Sequence, residues 1–189
     1  SPEETVSLMI NEEDHLRMQV LRSGLQMDEC WAVISRIDNA IEQFIDFAYH
    51  TRFGYLTACP TNVGTGIRVS AMLHLPALKL TGEMDRAFRA AKDMHLAIRG
   101  LHGEGTEATG DLYQISNQTT LGKSEEEIIS EFEHLIIPRL VEYEKRARQA
   151  LLRERPVALD DKVWRAYGLL MNARTISTEE ALFLLSHVR

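Results

Sequence analysis

Residues 59 to 68 read Cys59-Pro60-Thr61-Asn62-Val63-Gly64-Thr65-Gly66-Ile67-Arg68, and they limit the fold more closely than any other stretch. Pro60 fixes its own φ and removes an amide donor, while Gly64 and Gly66 admit backbone shapes that side chains disfavour. Such a segment is a shaped loop, not the interior of a helix or strand. Residues 67 to 75 alternate. Ile67, Val69, Ala71, Leu73 and Leu75 fall on one side, with Arg68, Ser70, Met72 and His74 on the other, the period-two pattern of a half-buried strand. A loop of fixed shape that leads into a strand suits a place where a thiol and a guanidinium lie close to a charged ligand.

The rest of the chain mixes strand and helix periods. Val6 to Ile10 and His15 to Leu21 read as strands joined through the polar run Asn11-Glu12-Glu13-Asp14. From Asp28 to about Tyr49 the period is helical, with Cys30, Ile34, Ile37, Ile41, Phe44, Ile45 and Ala48 on one face, so Cys30 is expected in the core. Phe53 to Thr57 is a short strand that enters the loop. A helix is expected from Gly82 to His95, and strands over Ala97 to Leu101 and Leu112 to Asn117. Ser124 and Glu127 form a capping box that opens a helix towards Arg153, and Pro138 should kink or split that helix. Two shorter helices are expected at about 159 to 172 and 178 to 187. The pattern implies an α+β fold, divided into a mixed part over residues 1–152 and a small helical region over 153–189.

Composition excludes some classes. The chain has 189 residues and a formal charge of −7, which argues against an extended nucleic-acid surface. No apolar run approaches the roughly 20 residues that cross a bilayer. Two cysteines at unrelated spacing make neither a disulfide framework nor a zinc site, so a reducing cytoplasm is the expected compartment. The chain opens on Ser1-Pro2 with no initiator Met, and is expected to be a piece of a longer protein.

Three polar clusters lie at turns or strand edges: residues 11 to 17, residues 59 to 68, and Arg99-Gly100-Leu101-His102-Gly103-Glu104-Gly105. Each supplies one arginine, namely Arg17, Arg68 and Arg99. Three guanidinium groups that converge would favour a polyphosphate, because each makes charge-assisted forked contacts. Spacing alone equally allows three separate surface arginines. His15 and His74 lack partners at metal-ligand spacing and read as structural, and no metal-ligating set is expected.

In order along the chain, Asn11-Glu12-Glu13-Asp14-His15-Leu16-Arg17, Cys59-Pro60-Thr61-Asn62-Val63-Gly64-Thr65 and Arg99-Gly100 with Gly103-Glu104 and Thr106-Glu107 resemble the signature segments of the guanidino (phosphagen) kinases. The match continues through Tyr113 to Asn117 and the Ser124 helix to about Lys145. The resemblance implies a twisted antiparallel sheet flanked by helices, like that of glutamine synthetases, with ATP and Mg²⁺ as cofactors. It also implies roles. Arg17, Arg68 and Arg99 match arginines that grip the ATP phosphates. Glu13 and Glu104 match carboxylates that bracket the guanidinium, and Cys59 matches the reactive cysteine beside it. The chemistry is coherent, since a delocalised, protonated guanidinium is a poor nucleophile until carboxylates orient it and accept its proton.

Two departures separate the chain from the small-molecule members. In the third segment, Leu101-His102 and Gly105 replace the usual Thr-Arg and His, and Met72 stands where those enzymes place a histidine. Both changes, with the helical tail, are similar to the bacterial branch that phosphorylates arginine side chains in proteins. That branch implies protein substrates with exposed arginine, an activator protein, a AAA+ protease system and a stress-response role. The tail, with Trp164, Tyr167, Leu170, Met171, Leu182 and Leu185 on an apolar face, suits either a cap on the core or a homodimer surface. The alternatives are a small-molecule guanidino kinase and a non-catalytic phosphoarginine-binding protein. The fragment is expected to bind nucleotide weakly and to be inactive if the family's earlier half is needed.

Overall fold

The computed structural model describes residues 4–100 and 108–189. They divide into two compact units, one of residues 4–69 with 117–136 and one of residues 70–100 and 108–116 with 137–189.

In the first unit, β1 (Val6–Ile10) and β2 (Leu16–Val20) pair antiparallel, Val6 opposite Val20 and Ile10 opposite Leu16. The reversal between them is the polar run. Asn11 takes φ 54, a left-handed conformation that asparagine tolerates well, and its side chain meets His15 Nδ1 at 3.0 Å. Helix α1 covers Met27–Glu42, shorter than the periodicity predicts. The amides of Phe44 and Ile45 both return to the Ile41 carbonyl, so the last turn tightens and stops. No glycine or proline marks that stop, which is why the apolar period runs past it. Phe44 is 86% exposed, and Cys30 is half-buried rather than in the core. A minimal hairpin comes next, β3 (Tyr49–His50) with β4 (Gly54–Tyr55).

The capping box forms as expected. Ser124 Oγ accepts the Glu127 amide at 3.1 Å, and the Glu127 carboxylate accepts the Ser124 amide at 2.8 Å. Helix α4 (Glu125–Glu131) passes into a π-helical turn over Phe132–Ile136, and α5 (Ile137–Glu154) continues. Pro138 explains the break, since it offers no amide to the carbonyl four residues earlier, and a wider turn absorbs the mismatch.

The second unit is built on a three-stranded sheet in the order β5 (Ser70–His74), β7 (Leu112–Asn117), β6 (Leu96–Gly100). β5 and β7 run antiparallel, Ser70 opposite Ser116 and His74 opposite Leu112. Leu75, Tyr113 and Ile115 are almost wholly buried in it. Helix α2 (Pro76–Leu80) carries its proline in the first turn, where no amide is needed. The carboxylate of the buried Glu144 on α5 accepts the Ala77 and Leu78 amides, both at 3.0 Å, and so caps the start of α2. Arg148 pairs with Glu144 at 2.7 Å.

Helices α3 (Met84–Asp93), α6 (Pro156–Asn172) and α7 (Thr178–Val188) complete the unit. The sequence places the start of α6 near residue 159, and Pro156 at its first position brings that start forward. On α6 and α7, Ala166, Leu184 and Ser186 are buried, while Trp164, Tyr167, Met171 and Leu185 are exposed. The apolar face predicted for the tail is therefore largely open to solvent, and Trp164 stacks edge-on against Tyr167. Among the described residues no helix is long and apolar enough to cross a membrane.

Candidate active site

Cys59 stands just before a single 3-10 turn, Pro60–Asn62. Its carbonyl accepts the Asn62 amide at 3.0 Å and the Thr57 hydroxyl at 2.7 Å. Its Sγ lies 2.9 Å from Thr61 Oγ1, and the side chain is half-buried. The thiol is thus held at the mouth of the loop by its own neighbours.

Residues 117–120 brace the loop from outside. Thr120 Oγ1 lies within hydrogen-bond distance of the carbonyls of Thr61 (3.0 Å) and Val63 (2.8 Å), and its own carbonyl accepts the Thr65 amide at 2.9 Å. Gly64 passes so close to Thr120 that a Cβ would collide with that carbonyl, and its φ of 119° is one that side chains rarely adopt. Glycine is required there on both counts. An open concavity lined by Pro60, Thr61, Val63, Thr119 and Thr120 lies along this brace.

Asn117 clasps the backbone on both sides of Arg68. Its Oδ1 accepts the Val69 amide at 2.8 Å, and its Nδ2 donates to the Ile67 carbonyl at 3.0 Å. These bonds occupy groups that a strand would otherwise use, so β5 starts at Ser70 and not at Ile67, where the alternation begins. The Arg68 side chain is exposed beside this clasp.

The acidic turn reaches the same loop. Asp14 Oδ1 accepts the Ala58 amide at 2.6 Å across 44 residues of sequence. Glu13, immediately before Asp14, is exposed, and Arg17 on β2 pairs with Glu12 at 3.0 Å. The Arg17 guanidinium holds the Glu12 carboxyl below its usual range, helped by a backbone hydrogen bond from Glu13. Four of the six residues singled out from sequence, Glu13, Arg17, Cys59 and Arg68, therefore belong to the first unit, and one hydrogen bond ties the turn bearing two of them to the loop bearing the others. Arg99 lies on β6 of the second unit and is exposed. Glu104 lies outside the described residues. Cys30 is the contrast to Cys59, since burial is the main cause that pushes its thiol up.

Sequence reasoning misses Glu12, Asp14, Asn117 and Thr120. Glu12 and Asp14 sit inside a motif whose residue types are informative, but a sequence does not show their partners. Asn117 and Thr120 carry only the signal of polar residues that end a strand.

Residues 1–147 match the model of the ATP:guanido phosphotransferase C-terminal catalytic domain, and residues 156–189 match that of the protein-arginine kinase McsB C-terminal domain. A protein-arginine kinase of Symbiobacterium thermophilum is 55% identical over 189 residues, which is 100% of this chain and 53% of that protein. One from Geobacillus kaustophilus is 50% identical over 189 residues, 100% of this chain and 52% of that protein. The chain spans about half the length of the curated relatives it matches. Among solved structures, lombricine kinase superposes with a TM-score of 0.67 at 34% identity, covering 79% of this chain and 40% of that one. The duplicated taurocyamine kinase of Schistosoma mansoni, with bound transition-state analogue components, gives 0.68 at 31% identity, covering 76% and 20%. The loop, the acidic turn and the fold thus agree with the match over most of the sequence, and the chain belongs to the ATP:guanido phosphotransferases through their C-terminal catalytic domain.

Proposed function

We propose that this chain supplies the catalytic half of an ATP-dependent kinase that phosphorylates arginine side chains in proteins. The observation that carries the reading is the bond from Asp14 to the Ala58 amide, which joins the turn of Glu13 and Arg17 to the loop of Cys59 and Arg68. Curated relatives matched over nearly the whole chain bear the name protein-arginine kinase, which supports protein as the substrate class.

In this reading Arg17, Arg68 and Arg99 neutralise the nucleotide phosphates, Glu13 and Glu104 orient the incoming guanidinium, and Cys59 lies beside it. Exposed arginines fit a polyphosphate, and release of Arg17 from Glu12 would free one of them. Mg²⁺ would be bound mainly by phosphate oxygens and water, as is usual for nucleotide-borne magnesium. The residues of this chain fix in-line geometry and offset charge on the transferring group. Glu13 accepts the proton that the guanidinium loses as its nitrogen attacks.

Residues 1–152 would form the catalytic part and 153–189 a helical region. The latter exposes Trp164 (63%) and Met171 (65%), and we assign it to self-association. An activator protein, a AAA+ protease and a cytoplasmic setting belong to the same reading.

The test is ³¹P NMR with Mg-ATP, one tube holding an unfolded arginine-rich protein and another free arginine. An acid-labile phosphoramidate signal on protein alone is the expected result. The solved neighbours are named for small guanidino compounds, so a signal on free arginine would select that reading. If Glu104→Ala leaves the protein's cellular role intact, it is a phosphoarginine-binding module instead.

A further inference from the structure

Among the described residues the Asp14 side chain is hydrogen-bonded to the Ala58 amide, and so it bonds the turn that holds Glu13 to the loop that holds Cys59. We propose that Asp14 is a positioning residue for phosphoryl transfer, fixing the distance between the Glu13 carboxylate and the Cys59 thiol. The proposal rests on the kinase function proposed for this site.

The geometry is direct. Asp14 is peptide-linked to Glu13, and Ala58, whose amide Asp14 holds at 2.6 Å, is peptide-linked to Cys59. The two candidate groups are therefore separated by two peptide links and one short hydrogen bond to a carboxylate, a bond type stronger than a neutral one. Each partner is itself restrained. The turn is closed by the Asn11 amide on the His15 carbonyl at 3.0 Å, and the loop by Thr120 and by the 3-10 turn after Cys59. The bond thus joins two shaped segments, so that breaking it frees one to move against the other. Asp14 is half-buried, whereas Glu12 and Glu13 are exposed, so of the three adjacent acids it is the one turned towards protein. In a reaction governed by alignment, a misplacement of about 1 Å can cost on the order of 100-fold in rate.

The experiment compares Asp14→Ala and Asp14→Asn in the full-length protein. The alanine variant loses the acceptor; the asparagine variant keeps an oxygen of the same reach. Asp14→Ala is expected to lower kcat by about 10- to 100-fold with the KM for ATP within about twofold, and Asp14→Asn to restore most of the loss. A second readout needs no turnover. Alkylation of Cys59 by iodoacetamide at fixed pH, counted by mass spectrometry at that residue, should quicken several-fold in Asp14→Ala and stay near wild type in Asp14→Asn. Unchanged kcat and unchanged alkylation in Asp14→Ala would overturn the proposal. So would a loss of rate matched by an equal rise in the KM for ATP and a fall in melting temperature that Asp14→Asn does not rescue, since that pattern belongs to a general structural role. If the wild-type protein transfers no phosphate to arginine, the functional reading fails by itself, and the alkylation series alone then decides whether Asp14 sets the position of Cys59.

Discussion

If Arg17 binds nucleotide phosphate as proposed, Glu12 competes with that ligand for it. It pairs with Arg17 at 3.0 Å, and both side chains are about half exposed, at 48% and 54%. Water screens such a pair, which keeps its worth small. Removing the charge should still help a polyphosphate, because Arg17 would no longer have to leave a carboxylate. Glu12→Gln is expected to tighten nucleotide binding about two- to fivefold by calorimetry, an advantage that shrinks as salt is raised. Weaker binding would mean instead that Glu12 itself serves the nucleotide or its metal. The contrast with Glu13 is sharp. Glu13→Gln should leave nucleotide affinity near wild type and lower kcat by about 100-fold or more, the usual weight of a proton acceptor. At this scale residue type suggests chemistry, and the roles proposed for Cys59, Arg68 and Glu13 rest on it. The sequence is silent where a residue acts through a distant partner. Asp14 meets Ala58 across 44 positions and Thr120 meets Thr61 across 59, and nothing local to either end marks the pairing.

At the scale of elements, legibility depends on how the element ends. β1, β7 and the capped start of α4 lie where their patterns put them, because alternation and the Ser-x-x-Glu signal are local. The end of α1 and the start of β5 depart from their patterns, since hydrogen bonds outside the period set them. Helix α2 leaves only Pro76 as a trace in the sequence; its five residues are too few to show a period, and its first amides are capped by Glu144 from 66 and 67 positions away. Asn117 tests this view of β5. Asn117→Asp keeps the acceptor for the Val69 amide but loses the donor to the Ile67 carbonyl and sets a carboxylate beside it. The expected cost is about 1–3 kcal/mol in urea unfolding, with nucleotide affinity reduced as well, because Arg68 lies between the two clasped residues. By comparison, Ser124→Ala should cost about 1 kcal/mol through the lost cap and leave nucleotide affinity unchanged.

At the scale of the whole chain, the tail is bound into the second unit by a buried polar chain that no spacing rule predicts. Ser186 on α7 donates to Asp111 Oδ2 at 2.6 Å and meets His74 Nε2 at 2.8 Å, while Lys79 reaches Asp111 Oδ1 at 2.7 Å. Gly110, at φ 65, lets the backbone pass within touching distance of the Leu182 carbonyl on α7. Since Ser186 gives its proton to Asp111, His74 must donate from Nε2, leaving Nδ1 to face Arg148 at 3.5 Å as an acceptor. Protonating Nδ1 would set two cations against each other. Burial, then Arg148 and Arg189, hold the His74 pKa below its usual value against the pull of Asp111 and Glu144. The unfolded chain therefore binds the proton first, and the stability that neutral His74 contributes is complete above about pH 6.5 and lost as pH falls through the depressed folded value. For Asp111, burial raises the pKa, but the hydrogen bonds from Lys79 and Ser186 outweigh it and lower the carboxyl overall. Its contribution is complete above about pH 3.9 and lost below. Two separate losses of stability are thus expected on acidification. His74→Gln keeps a donor for Ser186 but cannot titrate, so urea unfolding across pH should lose the first step and retain the second. If the first step persists in His74→Gln, the tail is not held through this histidine, and some other group must sense the acid.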